Sequence, residues 1–275
     1  MKLSSPIHVL KSQAKELKRS ESLSMIEALD KIAQREGYSS WSLLQSKNSS
    51  PFPKSYSEVL DFLNEGDLLI IGARPGMGKT SFTIGLFVMA VQRKLASNYY
   101  FTLNENHKDI AGRISIYDKT IGNFKESLGY PGNEHLGYIG VDYSNAISAD
   151  YIIEKTKATI SKKSVIVVDY LQLLDEKRIN PPLQKQVEKL KKYAKETGCI
   201  IIFISQVRRE IENQIDKTPR LADIRLPNPL ELNLFNKIIL LYRKEKRSEK
   251  VKICFYRPKE HQFEVSWDWQ ESRFS

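Results

Sequence analysis

The sequence predicts an α/β protein, a mostly parallel central sheet flanked by helices, with a small helical unit in front of it. Three observations carry that expectation. Short apolar runs recur along most of the chain: "DLLIIG", "NYYFTL", "GYIGV", "SVIVVD", "CIIIFIS", "KIILLY" and "VKICFY". They are continuous rather than alternating, which suits strands buried on both faces of a parallel sheet. Helical stretches such as "LQKQVEKLKKYAKETG" lie between several of them, the order of a wound sheet. The first run then breaks into a loop of small residues, "ARPGMGKT", before a helix.

The elements follow in order. Residues 1–50 read as a helical extension, with "IHVLKSQAKELKR" and "SLSMIEALDKIAQREGY" as amphipathic segments. Ile26, Leu29 and Ile32 fall at helical spacing, Gly37 is a stop signal, and "SSWSLLQS" adds a short third turn. Such a unit can serve as a partner-binding module, a DNA-binding module or a packing arm. "KNSSPFPKS" is rich in serine and proline, and residues 51–60 are assigned to a linker. Residues 61–275 form the α/β domain, with an antiparallel pair expected near the C-terminus.

Composition narrows the function classes. A net charge of +10 favours an anionic partner, nucleic acid first. Cys199 and Cys254 sit inside apolar runs and read as reduced core residues of a cytoplasmic protein. The four histidines are scattered and the cysteines lack ligand spacing, which argues against a zinc site. No apolar stretch approaches the ~18 residues of a membrane span, and no signal-peptide core opens the chain.

The loop after "DLLII" fits the phosphate-loop pattern G-x-x-x-x-G-K-[ST] with Ala73 in place of the first glycine. Small residues let backbone N–H groups wrap phosphates, and the following helix adds positive character at its N-terminus. The candidate nucleotide-binding set is Ala73, Arg74, Pro75, Gly76, Met77, Gly78, Lys79, Thr80 and Ser81. Lys79 is expected on the β- and γ-phosphates of ATP and Thr80 on Mg²⁺. "SVIVVD" ends in Asp169, expected to hold Mg²⁺ through water from the tip of a central strand. Tyr170 follows it rather than a glutamate, so a general base must come from elsewhere. "IIFISQ" ends in Gln206, placed to sense the γ-phosphate.

In this order, "GARPGMGKT", "VIVVDYLQLL", "LKKYAKETGCIIIFISQVRRE" and "ADIR" resemble the ATPase domain of the DnaB-type replicative DNA helicases, RecA-like P-loop ATPases. The likeness runs from about Asp61 to the C-terminus. It implies ATP with Mg²⁺, a hexameric ring as the homo-oligomer, and single-stranded DNA threaded through its centre. Residues 1–50 do not look like that family's usual N-terminal domain and are open to a replication-protein partner. Matched to the family, Arg257 corresponds to the finger that reaches a neighbouring subunit's ATP, and Arg243 lies near the nucleotide. A family lysine two places before the finger is Phe255 here.

One departure bears on hydrolysis. The resemblance places the catalytic glutamate at the end of "YYFTLNE", where this chain has Asn104, with Glu105 one place later. An asparagine can position water but cannot accept its proton. Side chains alternate along a strand, so Glu105 takes over only if the strand ends early or bulges. ATP hydrolysis by a helicase and a hydrolysis-impaired, nucleotide-gated DNA-binding or assembly module therefore both stand, as does a regulatory partner of a replicative helicase. The resemblance also sends two basic segments toward the channel: Lys177 and Arg178 in "DEKRINPP", and Arg208, Arg209, Lys217, Arg220 and Arg225 after Gln206. Phosphate contact by such residues is sequence-independent and salt-sensitive.

Overall fold

The computed structural model describes the chain apart from residues 1, 2, 6, 49–51, 94–96, 104–106, 120–138, 176–179, 227, 246 and 275. Two compact units divide at Pro53 and Lys54.

The first unit holds α1 (Ile7–Glu21), α2 (Met25–Arg35) and α3 (Trp41–Asn48). Helix α2 starts at a reciprocal cap: the Glu27 amide donates to Ser24 Oγ at 3.2 Å and the Ser24 amide donates to Glu27 Oε2 at 2.8 Å. This satisfies donors that a helix start leaves orphaned. The chain leaves α2 through Gly37 at φ +83°, as its position in the sequence suggested. The Trp41 amide then donates to Asp30 Oδ1 at 2.7 Å, fixing the entry to α3. Leu10, Ala14, Ala28, Ile32, Ala33, Trp41 and Leu44 form the core of this unit. Ile26 is not part of it: the side chain is 73% exposed, because Ala28 and Ile32 set the inward face.

The second unit is built on one sheet of order β3-β2-β4-β5-β1-β6-β7-β8-β9. Its parallel strands are β1 (Leu68–Ala73), β2 (Asn98–Thr102), β3 (Ile139–Asp142), β4 (Val165–Asp169), β5 (Ile200–Gln206) and β6 (Lys237–Tyr242). The sheet continues with β7 (Lys250–Arg257), β8 (His261–Asp268) and β9 (Arg273–Phe274), each antiparallel to the strand before it, β7 to β6, β8 to β7 and β9 to β8. The antiparallel part is thus larger than a single pair. Strand β8 forms no continuous apolar run, because "HQFEVSWD" alternates and keeps one side in solvent.

Alternation along the strands sorts their side chains into two cores. Leu69, Ile71, Val165, Val167, Ile200 and Ile202 face α4 (Tyr56–Asp61), α5 (Lys79–Gln92) and α6 (His107–Tyr117). Leu68, Ile70, Ile166, Val168, Ile201 and Phe203 face α7 (Ala149–Thr156) and α8 (Leu183–Thr197). Part of the expected 51–60 linker differs in the structure. Tyr56–Asp61 forms α4, and Tyr56, Val59 and Leu60 are buried in the first core. Tertiary burial outweighs the serine and proline signal there. Cys199 and Cys254 are both buried, and desolvation raises each thiol to about 11.

Candidate nucleotide-binding site

Strand β1 ends at Ala73, and α5 begins six residues later at Lys79. The turn between them uses Gly76 at φ +76° and Gly78 at φ +89°, a backbone that L side chains avoid. The Met77 amide donates to the Arg74 carbonyl at 3.3 Å and closes the bend. A Cβ added at Gly76 would meet nothing within 4 Å, so the loop is open there. One added at Gly78 would lie 3.0 Å from Phe274 Cζ and 3.7 Å from Arg243 Nη2. Phe274 and Arg243 thus back the loop where α5 starts. The first amides of α5 have no helical acceptors, and the helix dipole makes this end electropositive. Loop and helix together form an anion cradle.

Lys79, Thr80 and Ser81 occupy the first turn of α5 and are all half-buried. Two tyrosines grip this turn from outside. Tyr117 Oη donates to the Ser81 carbonyl at 2.8 Å, and Tyr56 Oη donates to the Phe82 carbonyl at 2.6 Å. Burial raises both phenols, Tyr117 to about 12, so they stay neutral donors. Phe82 adds ring contacts to Tyr56 at 4.8 Å and to Phe274 at 5.3 Å. Gly85, one turn further along α5, leaves the space in which the tyrosines sit.

Register brings the other predicted residues to the same edge. Ala73 on β1 pairs with Gln206 on β5, and Asp169 on β4 is level with Ile204 on β5 and Thr102 on β2. The alternation that points Val165 and Val167 at α5 also assigns Asp169 to that face, and Gln206 follows Ile202 and Ile204 in the same way. Asp169 is 3% exposed, and Tyr100 Oη donates to its Oδ2 at 2.9 Å. Sequence reasoning missed Tyr100, although its spacing from Thr102 places it on the matching side of β2. Asp169 and Thr80 offer oxygen donors, the kind a hard cation such as Mg²⁺ takes. Among the described residues no group of three or more His, Cys, Asp or Glu could hold a metal ion. A single carboxylate with a hydroxyl suits a cation that takes further ligands from phosphates.

Arg74 and Arg243 are buried, at 6% and 2% exposure. Arg74 pairs with Glu212, donates to the Arg243 carbonyl at 3.3 Å, and lies 6.0 Å from the Tyr242 ring centre. The Arg243 guanidinium lies 5.4 Å from the Trp267 ring and 5.2 Å from that of Trp269. Both arginines therefore brace the loop from the sheet side.

The segment after Gln206 leaves the sheet and returns to it. Val207 bridges Ile224, the Arg208 amide donates to the Asp223 carbonyl at 2.8 Å, and the Arg225 amide donates to the Gln206 carbonyl at 2.7 Å. Within this loop Arg208, Arg209, Arg220 and Arg225 are exposed and Lys217 is half-buried. Lys217 lies 3.8 Å from Glu212, and Arg220 lies 3.9 Å from Asp216. Ile215 is fully exposed among them. Lys177, Arg178, Asn104 and Glu105 lie outside the described residues.

Arg257 is not brought to this cluster. It ends β7 opposite Ile238, while Ile238 is level with Ile70 on β1. That places it about 10 Å behind Ala73 along the strand axis, at ~3.3 Å per residue, and two strands away. Its Nη1 donates to the Leu232 carbonyl at 3.2 Å. Phe255 is a core residue, edge-on to Phe62 at 5.5 Å and stacked on Phe263 at 6.0 Å.

Comparison with known proteins gives consistent likenesses. The model of the DnaB-like helicase C-terminal domain matches residues 54–266. A Trieres chinensis protein described as "Probable replicative DNA helicase" is 26% identical over 227 residues, 73% of this chain and 50% of its own length. The replicative DNA helicase DnaB of Helicobacter pylori is 28% identical over 201 residues, 66% of this chain and 40% of its own. The chain thus spans about half or less of the length of these relatives. Among solved structures, one described as an ATPase domain superposes with a TM-score of 0.64 at 21% identity, covering 91% of this chain and 98% of that one. A DnaB-like replicative helicase, solved in a study of its interactions with primase, gives 0.63 at 20% identity, covering 97% and 75%. These structural likenesses show the RecA-like fold.

Proposed function

The chain belongs to the DnaB-like helicase C-terminal domain family, and from that premise we propose that it is an ATPase that moves along single-stranded DNA as a ring, hexameric in its assembly. The observation that carries the reading is the gathering of Ala73–Ser81, Asp169 and Gln206 on one face at one edge of the sheet. The turn at Gly76 and Gly78 and the first amides of α5 hold the β- and γ-phosphates, with Lys79 as the matching cation. Thr80 and Asp169 hold Mg²⁺, which when bound neutralises phosphate charge. Tyr100 keeps the Asp169 carboxylate oriented by donating to it. Gln206 senses the γ-phosphate and lies at the root of the basic loop, so cleavage there is felt where DNA binds. Arg257 lies about 10 Å behind the end of β1 along the strand axis and serves the nucleotide of the adjacent subunit. The loop arginines, Lys217, Lys177 and Arg178 contact the DNA backbone. The exposed Ile26 of the first unit suits contact with a replication-protein partner. No described helix is long and apolar enough to cross a membrane, and the reading places the protein in the cytoplasm.

Asn104 at the family's glutamate position favours a second reading, a nucleotide-gated DNA-binding or assembly module with blunted hydrolysis, or a regulatory partner of a replicative helicase. Steady-state phosphate release, with and without single-stranded DNA, separates the two. DNA-stimulated turnover that Lys79→Ala abolishes is the expected result. Binding of ATP with no turnover above the Lys79→Ala background would leave only the second reading.

A further inference from the structure

Glu212 lies in the loop after β5, and its carboxylate pairs with Arg74 of the phosphate loop. The two ends of this pair differ: the Arg74 side chain is 7% exposed and that of Glu212 is 47% exposed. Arg74 is held a second time through the Arg243 carbonyl. Its backbone belongs to the loop that wraps phosphates and its head to the loop that carries the basic residues, so it joins the two. Glu212 is also placed firmly, because the short helical turn Arg209–Asn213 buries Ile211, its neighbour, to 1% exposure. Oε1 of Glu212 takes Arg74, while Oε2 lies 3.8 Å from Lys217. One carboxylate therefore spans a phosphate-loop arginine and a lysine of the DNA-facing loop.

We propose that Glu212 is a positioning residue that couples occupancy of the phosphate loop to the placement and effective charge of the 208–225 loop. The inference rests on the reading of Ala73–Ser81 as an ATP site. Phosphates entering that loop bring negative charge toward Arg74 and compete with Glu212 for the same guanidinium. A half-exposed carboxylate can be exchanged in this way, since solvent stabilises it once released. Its departure frees Lys217 for a nucleic-acid phosphate. Coupling of this kind requires only that nucleotide interact differently with the two loop positions. The pairing also runs in the opposite direction, so bound DNA tightens nucleotide binding by the same factor.

The test uses the full chain with an environment-sensitive dye on Ile215→Cys, a fully exposed site, while Cys199 and Cys254 are buried. Affinity for a slowly hydrolysed ATP analogue with Mg²⁺ is measured separately by calorimetry. The expected result is a dye response to saturating analogue that falls about fivefold in Glu212→Gln, with analogue affinity in the absence of DNA raised, because Glu212 no longer competes for Arg74. The response should also weaken with added salt in the parent and be insensitive to salt in Glu212→Gln, which a loop merely loosened by the substitution would not show. Equal responses in parent and Glu212→Gln would overturn the coupling, as would a silent dye on a parent that binds the analogue. A parent that binds no analogue would instead overturn the ATP site itself, and calorimetry reports that outcome directly.

Discussion

Gly85→Ala should destabilise the second unit markedly although it replaces glycine by the best helix former. The ideal Cβ at position 85 falls 2.0 Å from Tyr56 Oη, 2.7 Å from Tyr117 Cε1 and 2.9 Å from Tyr117 Cζ. Ordinary contact would be well over 3 Å, so at least one ring must move. Overpacking of this kind costs about 1–3 kcal/mol. Moving Tyr56 also breaks its hydrogen bond to the Phe82 carbonyl inside the core, worth about 1–3 kcal/mol when a buried group loses its partner. Alanine returns about 1 kcal/mol of helix propensity, leaving a net loss of roughly 3 kcal/mol. For a unit of this size that lowers Tm by about 6–12 °C, at about 2–4 °C per kcal/mol. Gly112 in α6 is the internal control, since a Cβ there meets nothing within 4 Å. Gly112→Ala should be neutral or stabilising by up to about 1 kcal/mol. Thermal and urea melts of the three proteins decide the matter. If Gly85→Ala melts with Gly112→Ala, the packing around α5 is not as described. Adding Tyr56→Phe to Gly85→Ala removes the nearest clashing atom, and should recover part of the loss in a non-additive way.

Three further outcomes can be checked. Glu105→Gln should lower steady-state ATP turnover by about 10²–10⁴-fold with little change in ATP affinity; unaltered turnover would move the base elsewhere. Arg208→Ala and Arg209→Ala should each weaken single-stranded DNA binding equally across sequences, and reduce the slope of log affinity against log salt by about 0.7. The two buried thiols make folding sensitive to alkali. Their folded pKa of about 11 lies above the reference value of 9.0, so their stabilising contribution is complete below pH 9. It is lost as pH rises toward 11, by up to roughly 2–3 kcal/mol per thiol. Cys199→Ala should flatten that decline in urea midpoints measured from pH 8 to 11, and an unchanged slope would contradict the assignment.

Most of the sheet was legible in the sequence because a strand covered on both faces must be apolar at every position, as "VIVV" and "IIIFI" are. Strand β8 and helix α4 were not, for opposite reasons. The first alternates because one side meets solvent, and the second is too short for a period and depends on Tyr56, Val59 and Leu60 finding the main core. In the candidate site, the glycine turn and Asp169 were readable because a phosphate-binding reading calls for small residues at fixed spacing and a carboxylate at a strand tip. Tyr56, Tyr100 and Tyr117 carry no such signal. Each acts through one hydroxyl on a group distant in sequence, and only the register of β2 against β4 and the packing of α4 and α6 on α5 reveal them. Glu212 was hidden likewise, since its partner lies in the phosphate loop.

The closure of the basic loop by Val207–Ile224 and the flanking backbone hydrogen bonds has a consequence for how such a chain can diverge. The ends of the segment are joined at the sheet, so residues added beyond Glu212 change only the length of an already closed excursion. Doubling that length carries an entropy cost of only ~0.6 kcal/mol. Insertions can therefore lengthen or re-aim the outer part of the segment without shifting Gln206 or Ala73. The reach and chemistry of the outer loop can vary between lineages, or be redesigned, while the sheet edge beneath it stays fixed.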